Sequence, residues 1–334
     1  MMLFKQHRIK NTIYNAESYL RKKILSGDYS LSCVNQSNIP MFSHNKGHLF
    51  SIFFMTQALK NKLPEDIRSI FISRILSEEY KGLWGYSPRG YYVEKEANPY
   101  FVDADDSAFT LRTLRYLDIY RDNGILDVFL KPCKELNGVN LYTTFKSPHN
   151  SFIENKQVDS NHFGFHPEVI ANIYHLLLNT ENEKNISTNY IRHTQQKNGQ
   201  WPSFFYKNEY YSTCLFIDLL NHMNTEIESL NNGILFLKKS LDKLLEDNLS
   251  NASPYSISQI LSTLSKFDNN DKLIKKGLKC LLAIQNKDGS WGNSDVFWSF
   301  NDKFGNTWMS YDVNKVIATS SCLNALKTLN SEIK

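Results

Sequence analysis

The 334 residues predict an all-α protein built as a single (α/α)6 toroid: six helical hairpins in an inner and an outer ring. Three observations predict it. Apolar residues recur at i, i+3, i+4 spacing almost throughout, and strict polar–apolar alternation is scarce. Helices of two characters alternate along the chain, one amphipathic and one apolar nearly all round. A helix apolar on every side is buried on every side. Finally, a segment ending in Gly-x-Trp repeats at the ends of helices of the first kind.

The first hairpin joins an amphipathic segment, 11–26, to an apolar one, 45–60. Tyr14, Ala16, Tyr19, Leu20 and Ile24 give the first segment one apolar face. The second joins 64–79, with Ile67, Ile70, Phe71, Ile75 and Leu76 on one face, to 105–118. The third joins 123–135 to 166–179, and the fourth joins 185–196 to 210–222. In the fifth, Ile234, Leu235, Leu237, Leu241, Leu244 and Leu245 mark 229–246 as the outer helix before 254–266. The sixth joins 271–285 to 314–328. These segments use nearly the whole length, so 1–334 reads as one α/α-barrel domain.

The repeat has a physical reading. Gln285-x3-Gly289-Ser290-Trp291 and Gln195-x3-Gly199-Gln200-Trp201 share one spacing, and Glu78-x3-Gly82-Leu83-Trp84 carries Glu in place of Gln. The glycine supplies the left-handed residue that closes a helix. The glutamine side chain satisfies backbone groups left free at that end. The tryptophan packs over the junction.

Composition excludes several classes. A formal charge of +4 from 38 basic and 34 acidic residues is too even for a nucleic-acid footprint. No run approaches the roughly 18–20 apolar residues of a membrane span. The start, MMLFKQHRIKNTIYN, lacks the apolar core of a secretion signal, which points to the cytoplasm. Five cysteines (33, 133, 214, 280 and 322) form no CxxC pair and read as small core hydrophobes. Aromatic residues make up 13%, enough for a large core or a ring-lined pocket.

The second apolar helix opens on Phe101-Val102-Asp103-Ala104-Asp105-Asp106-Ser107-Ala108. One or two of these carboxylates serve as helix caps and meet the positive end of the dipole. A third repels the others and is not needed for capping. Spacing alone leaves a pure cap and a functional cluster both standing. The remaining apolar helices start at the same end. Their first turns carry Ser43-His44-Asn45 with His48, then His166-Pro167-Glu168, Tyr210-Tyr211-Ser212, Tyr255-Ser256 and Tyr311-Asp312 with Asn314. His48 and His166 are either hydrogen-bonding partners that tune the acid cluster or satisfied, partly buried histidines. His44 and His48 stand at i, i+4, a spacing that also suits a metal pair.

The tryptophan repeats resemble the QW motif of the squalene–hopene and oxidosqualene cyclases, shared more weakly by class II diterpene cyclases. The stretch from Lys276-Gly277 through Gln285 to Trp291 matches best. The Asp-x-Asp-Asp sequence followed by Ser-Ala is similar to the acid motif of class II terpene cyclases. That resemblance implies the toroid of terpene cyclases and prenyltransferase β subunits. It also implies a protonation-initiated cyclisation of an isoprenoid or isoprenoid diphosphate. Asp105 is then the proton donor, with Asp103 and Asp106 as supporting carboxylates. An alkene is a very weak base, so the donor must still hold its proton when substrate arrives. Clustered carboxylates share that titration, and aromatic rings stabilise the cation that follows.

For the aromatic lining the resemblance points to Trp84, Tyr100, Tyr211, Tyr255, Trp308 and Tyr311. The segments Gly85–Phe101 and Gly292–Ser310, rich in rings, are long for connectors and read either as covers of the mouth or as surface loops. No Asp-Asp-x-x-Asp and no metal-binding Asn/Asp-x3-Ser-x3-Glu is present, so no metal site is assigned. The protonation requires no cofactor, and magnesium enters only with a diphosphate substrate. Cys214 and Cys322 lack the Asp two residues earlier that zinc-dependent prenyltransferases use. The expected partner is a hydrophobic isoprenoid, with no nucleic acid; peripheral membrane contact and a homodimer are compatible with it. The cyclases that carry the motif between two α-barrel domains are about twice this length. The pocket here therefore lies within one barrel, or a second copy supplies its other wall. Two other functions fit the residues: an α/α-barrel hydrolase or lyase using the His/Asp/Tyr ring on a polar substrate, and a non-catalytic isoprenoid-binding module.

Overall fold

The computed structural model describes residues 2–35, 37, 40–43, 47–59, 63–79, 82–86, 102–119, 134–136, 139–141, 145–146, 166–246, 253–268, 271–292, 296–301 and 307–331. Among them are helices α1 (Met2–Leu25), α2 (Leu49–Leu59), α3 (Glu65–Ser77), α4 (Ala104–Tyr116), α5 (Pro167–Leu177), α6 (Thr188–Thr194), α7 (Tyr211–Met223), α8 (Ile227–Glu246), α9 (Pro254–Leu264), α10 (Lys272–Ala283) and α11 (Val316–Ser331).

The all-round apolar helices are the inner ring. In α2 every residue but Gln57 is buried, and α5 buries all but Pro167 and His175. The sequence of contacts is α2 to α4, α4 to α5, α5 to α7, α7 to α9, α9 to α11, and α11 back to α2. The ring is closed. The amphipathic helices α1, α3, α6, α8 and α10 lie outside it and bury one stripe each. In α1 the stripe is Ile9, Ile13, Ala16, Leu20 and Ile24; in α8 it includes Leu230, Leu237, Leu241 and Leu245. Local chemistry sets several helix starts. Pro254 occupies a first turn behind the Ser253 cap, whose hydroxyl accepts from the Ser256 N–H, and Asp271 caps α10 through the Leu273 N–H.

The tryptophan repeats are the joints between the rings. Gly82, Gly199 and Gly289 have φ of 80°, 92° and 91°, the left-handed region expected of a closing glycine. A Cβ on Gly199 would stand 2.3 Å from the Asn232 carbonyl oxygen. Trp84, Trp201 and Trp291 are fully buried. Each indole N–H donates to a carbonyl of the preceding outer helix: Ile75 at 2.9 Å, Ile191 at 2.6 Å and Leu281 at 2.8 Å. Each backbone N–H donates to a hydroxyl in the following inner helix: Ser107 at 2.9 Å, Thr213 at 3.0 Å and Thr319 at 3.1 Å. The Gln195 amide donates to the Gly199 and Ser229 carbonyls, and that of Gln285 to Gly289 and Thr12. At the third copy Glu78 pairs with Arg74 instead.

The helical ring carries short strands, and two segment readings are corrected. The segment 292–310, read as a loop, contains a hairpin of β7 (Val296–Asn301) and β8 (Thr307–Tyr311). With β1 (Ser32–Asn35) and β2 (Pro40–Ser43) it forms a four-stranded antiparallel sheet in the order β2-β1-β8-β7. The second correction falls in the outer segment 123–135. Its last two residues open a strand, β4 (Lys134–Leu136), which pairs with β5 (Val139–Leu141); residues 123–133 lie outside the described residues. The third short pairing joins β3 (Val102–Asp103) to β6 (Phe145–Lys146) immediately before α4. Cys33, Cys214, Cys280 and Cys322 are buried. No described helix is long and apolar enough to cross a membrane.

Candidate active site at the start of α4

Asp105 and Asp106 occupy the first turn of α4 and are 4% and 2% exposed. Asp103 is the last residue of β3, its backbone paired with Phe145; its side chain lies outside the described residues.

Among the described residues, Tyr206 and Asn172 donate to Asp105. The Tyr206 hydroxyl donates to Oδ2 at 2.5 Å, and the Asn172 amide to Oδ1 at 2.6 Å. Asn172, in the middle of α5, also donates to the Tyr211 hydroxyl at 3.1 Å. Its own Oδ1 accepts from the Arg112 guanidinium at 3.1 Å. Arg112 lies two turns beyond Asp105 on α4 and stacks over Phe53, 5.2 Å from the ring centroid. Burial pushes the Asp105 carboxyl up to about 6, against the pull of Tyr206, Asn172 and the Arg112 charge. The group is thus kept protonated further up the pH scale than an ordinary Asp, while donors stand ready for its carboxylate form.

Rings surround this acid. Tyr206 stacks on Tyr211 at 4.0 Å and meets Phe50 edge-on at 5.9 Å. Phe50 lies 4.2 Å from Phe109, which lies 5.2 Å from Phe53. Phe54 meets Tyr255 at 6.0 Å. Contact between α2 and α9, or between α2 and Tyr206 in the connector that leads into α7, joins parts of the ring that are not neighbours. Such contacts run through its bore. The acid and these rings therefore gather at the bore, at the end where the inner helices start.

The expected site residues fare differently. Tyr211 is in the cluster and Tyr255 lies across the bore. Trp84, expected in the lining, is instead locked into the α3–α4 joint through Ile75 and Ser107. Both ring nitrogens of His48 meet backbone groups. Nδ1 accepts from the Phe50 N–H at 3.1 Å, so the proton sits on Nε2 and is donated to the Tyr86 carbonyl at 3.1 Å. Burial holds this imidazole down to about 3, so it stays neutral. His166 packs between Phe204 at 4.4 Å and Phe205 at 4.7 Å. Trp308 and Tyr311 belong to β8, where they pair with Asn35 and Ser32. Asp312 caps α11 through the N–H groups of Val316 and Ala318. Tyr100 and His44 lie outside the described residues, as do residues 87–101 of the first aromatic segment.

Sequence reading missed Asn172, Arg112 and Tyr206. Asn172 and Arg112 did carry a signal, as polar residues in the middle of otherwise apolar helices. Tyr206 lies in a connector without periodicity, and nothing in the sequence marks it.

No protein-family model matches the chain, and no curated protein sequence matches it. Solved structures do. Type II terpene cyclase MstE from Scytonema, in complex with its substrate geranylgeranyl dihydroxybenzoate, superposes with a TM-score of 0.69 at 15% identity, covering 98% of this chain and 99% of that one. Candida albicans protein geranylgeranyltransferase-I complexed with GGPP gives 0.60 at 13% identity, over 96% and 92% of the two chains. The ent-copalyl diphosphate synthase from Streptomyces platensis gives 0.55 at 11%, covering 85% of this chain but 50% of its own. One ring of this length thus spans a whole solved cyclase chain as well as half of a longer one. At these identities the likeness is one of fold, and the fold is that of the type II terpene cyclases.

Proposed function

We propose that this chain is a class II terpene cyclase. On this reading a single toroid over 1–334 binds an isoprenoid chain in its bore and starts cyclisation by protonation. The observation that carries it is Asp105: a buried carboxyl that retains its proton to about pH 6, with Tyr206 and Asn172 aimed at its two oxygens.

The reaction follows from that geometry. The Asp105 proton passes to an alkene carbon of the substrate, and the alkene π electrons form the new C–H bond. A carbocation is left on the neighbouring carbon. The carboxylate that remains is stabilised by the Tyr206 hydroxyl, the Asn172 amide and the helix dipole. Attack by a second alkene closes a ring and moves the cation along the chain. The rings of Phe50, Phe53 and Phe109 are near enough to stabilise it, by up to about 2 kcal/mol for each desolvated contact. A final proton loss ends the sequence. Asp103 and Asp106 take the role of supporting carboxylates. The protonation itself calls for no cofactor; magnesium would serve only a substrate diphosphate. We place this activity in the cytoplasm.

Purified protein is incubated with farnesyl, geranylgeranyl and longer polyprenyl substrates, and cyclised hydrocarbon products are sought by mass spectrometry. Full activity in Asp105→Asn would remove the acid assignment. Substrate bound and recovered unchanged by the wild type would favour a binding module.

A further inference from the structure

Glu168 is a buried carboxyl that this scheme leaves without a task. It lies in the first turn of α5 with no exposed surface. Its Oε1 accepts from the N–H groups of Phe204 and Phe205, each at 2.7 Å, and its Oε2 has no hydrogen-bond partner among the described residues. Burial pushes it up to about 7, against the pull of backbone N–H groups, and the Asp105 charge adds to the rise.

The two N–H groups belong to the residues immediately before Tyr206. Three consecutive residues therefore join both carboxyls: Phe204 and Phe205 bind Glu168, and Tyr206 binds Asp105. No helix and no extended strand runs through the segment, and Tyr206 sits in an isolated β-bridge. The Phe205 carbonyl accepts from the Ser299 N–H of β7 at 2.9 Å, and His166 stacks on Phe204. Among these anchors Glu168 is the contact that takes two consecutive backbone N–H groups on a single oxygen.

We propose, resting on the acid reading of Asp105, that Glu168 is a positioning residue. It holds 204–206 so that the Tyr206 hydroxyl meets Asp105 and stabilises the carboxylate left by proton donation. Among the described residues, the charged and titratable groups that act on Asp105 are Arg112 from α4, Glu168 from α5, Tyr211 from α7 and Tyr206 itself, with Asp106 beside Tyr206.

The test compares Glu168→Gln, Glu168→Met and Tyr206→Phe. Both Glu168 variants remove the ionisable carboxyl, but only Gln keeps an oxygen for the two N–H groups. Their difference isolates the anchor. The Asp105 titration midpoint is read by carboxyl 13C NMR on protein labelled at Asp, with Asp105→Asn as the assignment control. The midpoint in Glu168→Met is expected about one pH unit above that in Glu168→Gln, as a bond to the charged form is lost. Turnover is expected to fall about tenfold in Glu168→Met with KM little changed, and to recover in Glu168→Gln. Adding Tyr206→Phe to Glu168→Met should cost nothing further. Equal midpoints in the Met and Gln variants, or additive losses in the double variant, would overturn the proposal. Glu168→Leu replaces Glu168→Met should the latter not fold. The NMR midpoint needs no substrate, so absence of cyclisation in the wild type would count against the acid reading alone.

Discussion

Asn172 bridges Arg112 and Asp105 in a fixed sense. A guanidinium only donates, so the amide oxygen must face Arg112, and the amide NH2 is then turned to the Asp105 carboxyl at 2.6 Å. The chain Arg112–Asn172–Asp105 delivers positive potential to an oxygen that becomes negative once its proton leaves. Without it the carboxylate loses the Asn172 donor in a buried setting. Asn172→Leu should therefore raise the Asp105 midpoint by about one pH unit and lower turnover about tenfold. Arg112→Met should act in the same direction more weakly. The midpoint by NMR and single-turnover rates check both.

The pH dependence has a definite sign. In the proposed role Asp105 donates only while protonated, and its carboxyl is lifted to about 6. Turnover should hold below that value and fall tenfold per unit above it, as the protonated fraction declines. His48, held down to about 3 and neutral, adds no second limb above that value. A pH–rate profile that rises through 6 would contradict the acid role.

The same burial that preserves the proton costs stability. Asp105 moves from 3.8 to about 6 on folding, so the folded chain binds more protons between those values. Stability falls as pH rises through that window, and the whole cost is in place above it. Two units correspond to on the order of 3 kcal/mol. Asp105→Asn should abolish turnover yet raise the melting temperature by several degrees at pH 8, with the gain gone by about pH 3.5. Thermal melts of the two proteins at both pH values measure this.

The ring and its joints were legible because local chemistry decides them. Gly199 and Gly289 need a left-handed backbone, and Trp201 and Trp291 close the helix ends they follow. An apolar surface all round α2 and α5 allowed no place but the interior. The hairpin was not legible. Its strand Val296–Asn301 is too short for periodicity to speak, and β8 finds its partner β1 across almost the whole chain, where Cys33 meets Ser310. The cluster of Asp103, Asp105 and Asp106 was legible, but its spacing left a pure cap and a functional cluster both standing. Its partners were less so: Asn172 showed only as a polar residue in an apolar helix, Tyr206 lies in a connector, and both meet Asp105 only once the ring has closed. His48 was misleading, because a helix start that collects polar residues does so for backbone bonding as readily as for chemistry.

The joints make the last prediction, which separates structure from catalysis. Ser107 and Thr213 do the same work. Each accepts the N–H of the preceding tryptophan and donates to its carbonyl, at 2.9 and 2.9 Å for Ser107 with Trp84, and 3.0 and 3.2 Å for Thr213 with Trp201. Ser107→Ala and Thr213→Val each strand a buried N–H, at about 1–3 kcal/mol. Denaturant melts should find the two costs alike. Their effect on turnover should differ. Ser107 follows Asp105 and Asp106 in the same helical turn, so loosening its joint shifts the acid relative to Tyr206 and Asn172. Thr213 follows Tyr211, which reaches Asp105 through Asn172 and through its stack on Tyr206. At equal loss of stability, Ser107→Ala should lower kcat about tenfold and Thr213→Val less than twofold, since small displacements of a proton donor weigh heavily on rate. Equal kcat losses in the two variants would mean that the acid does not depend on its own joint.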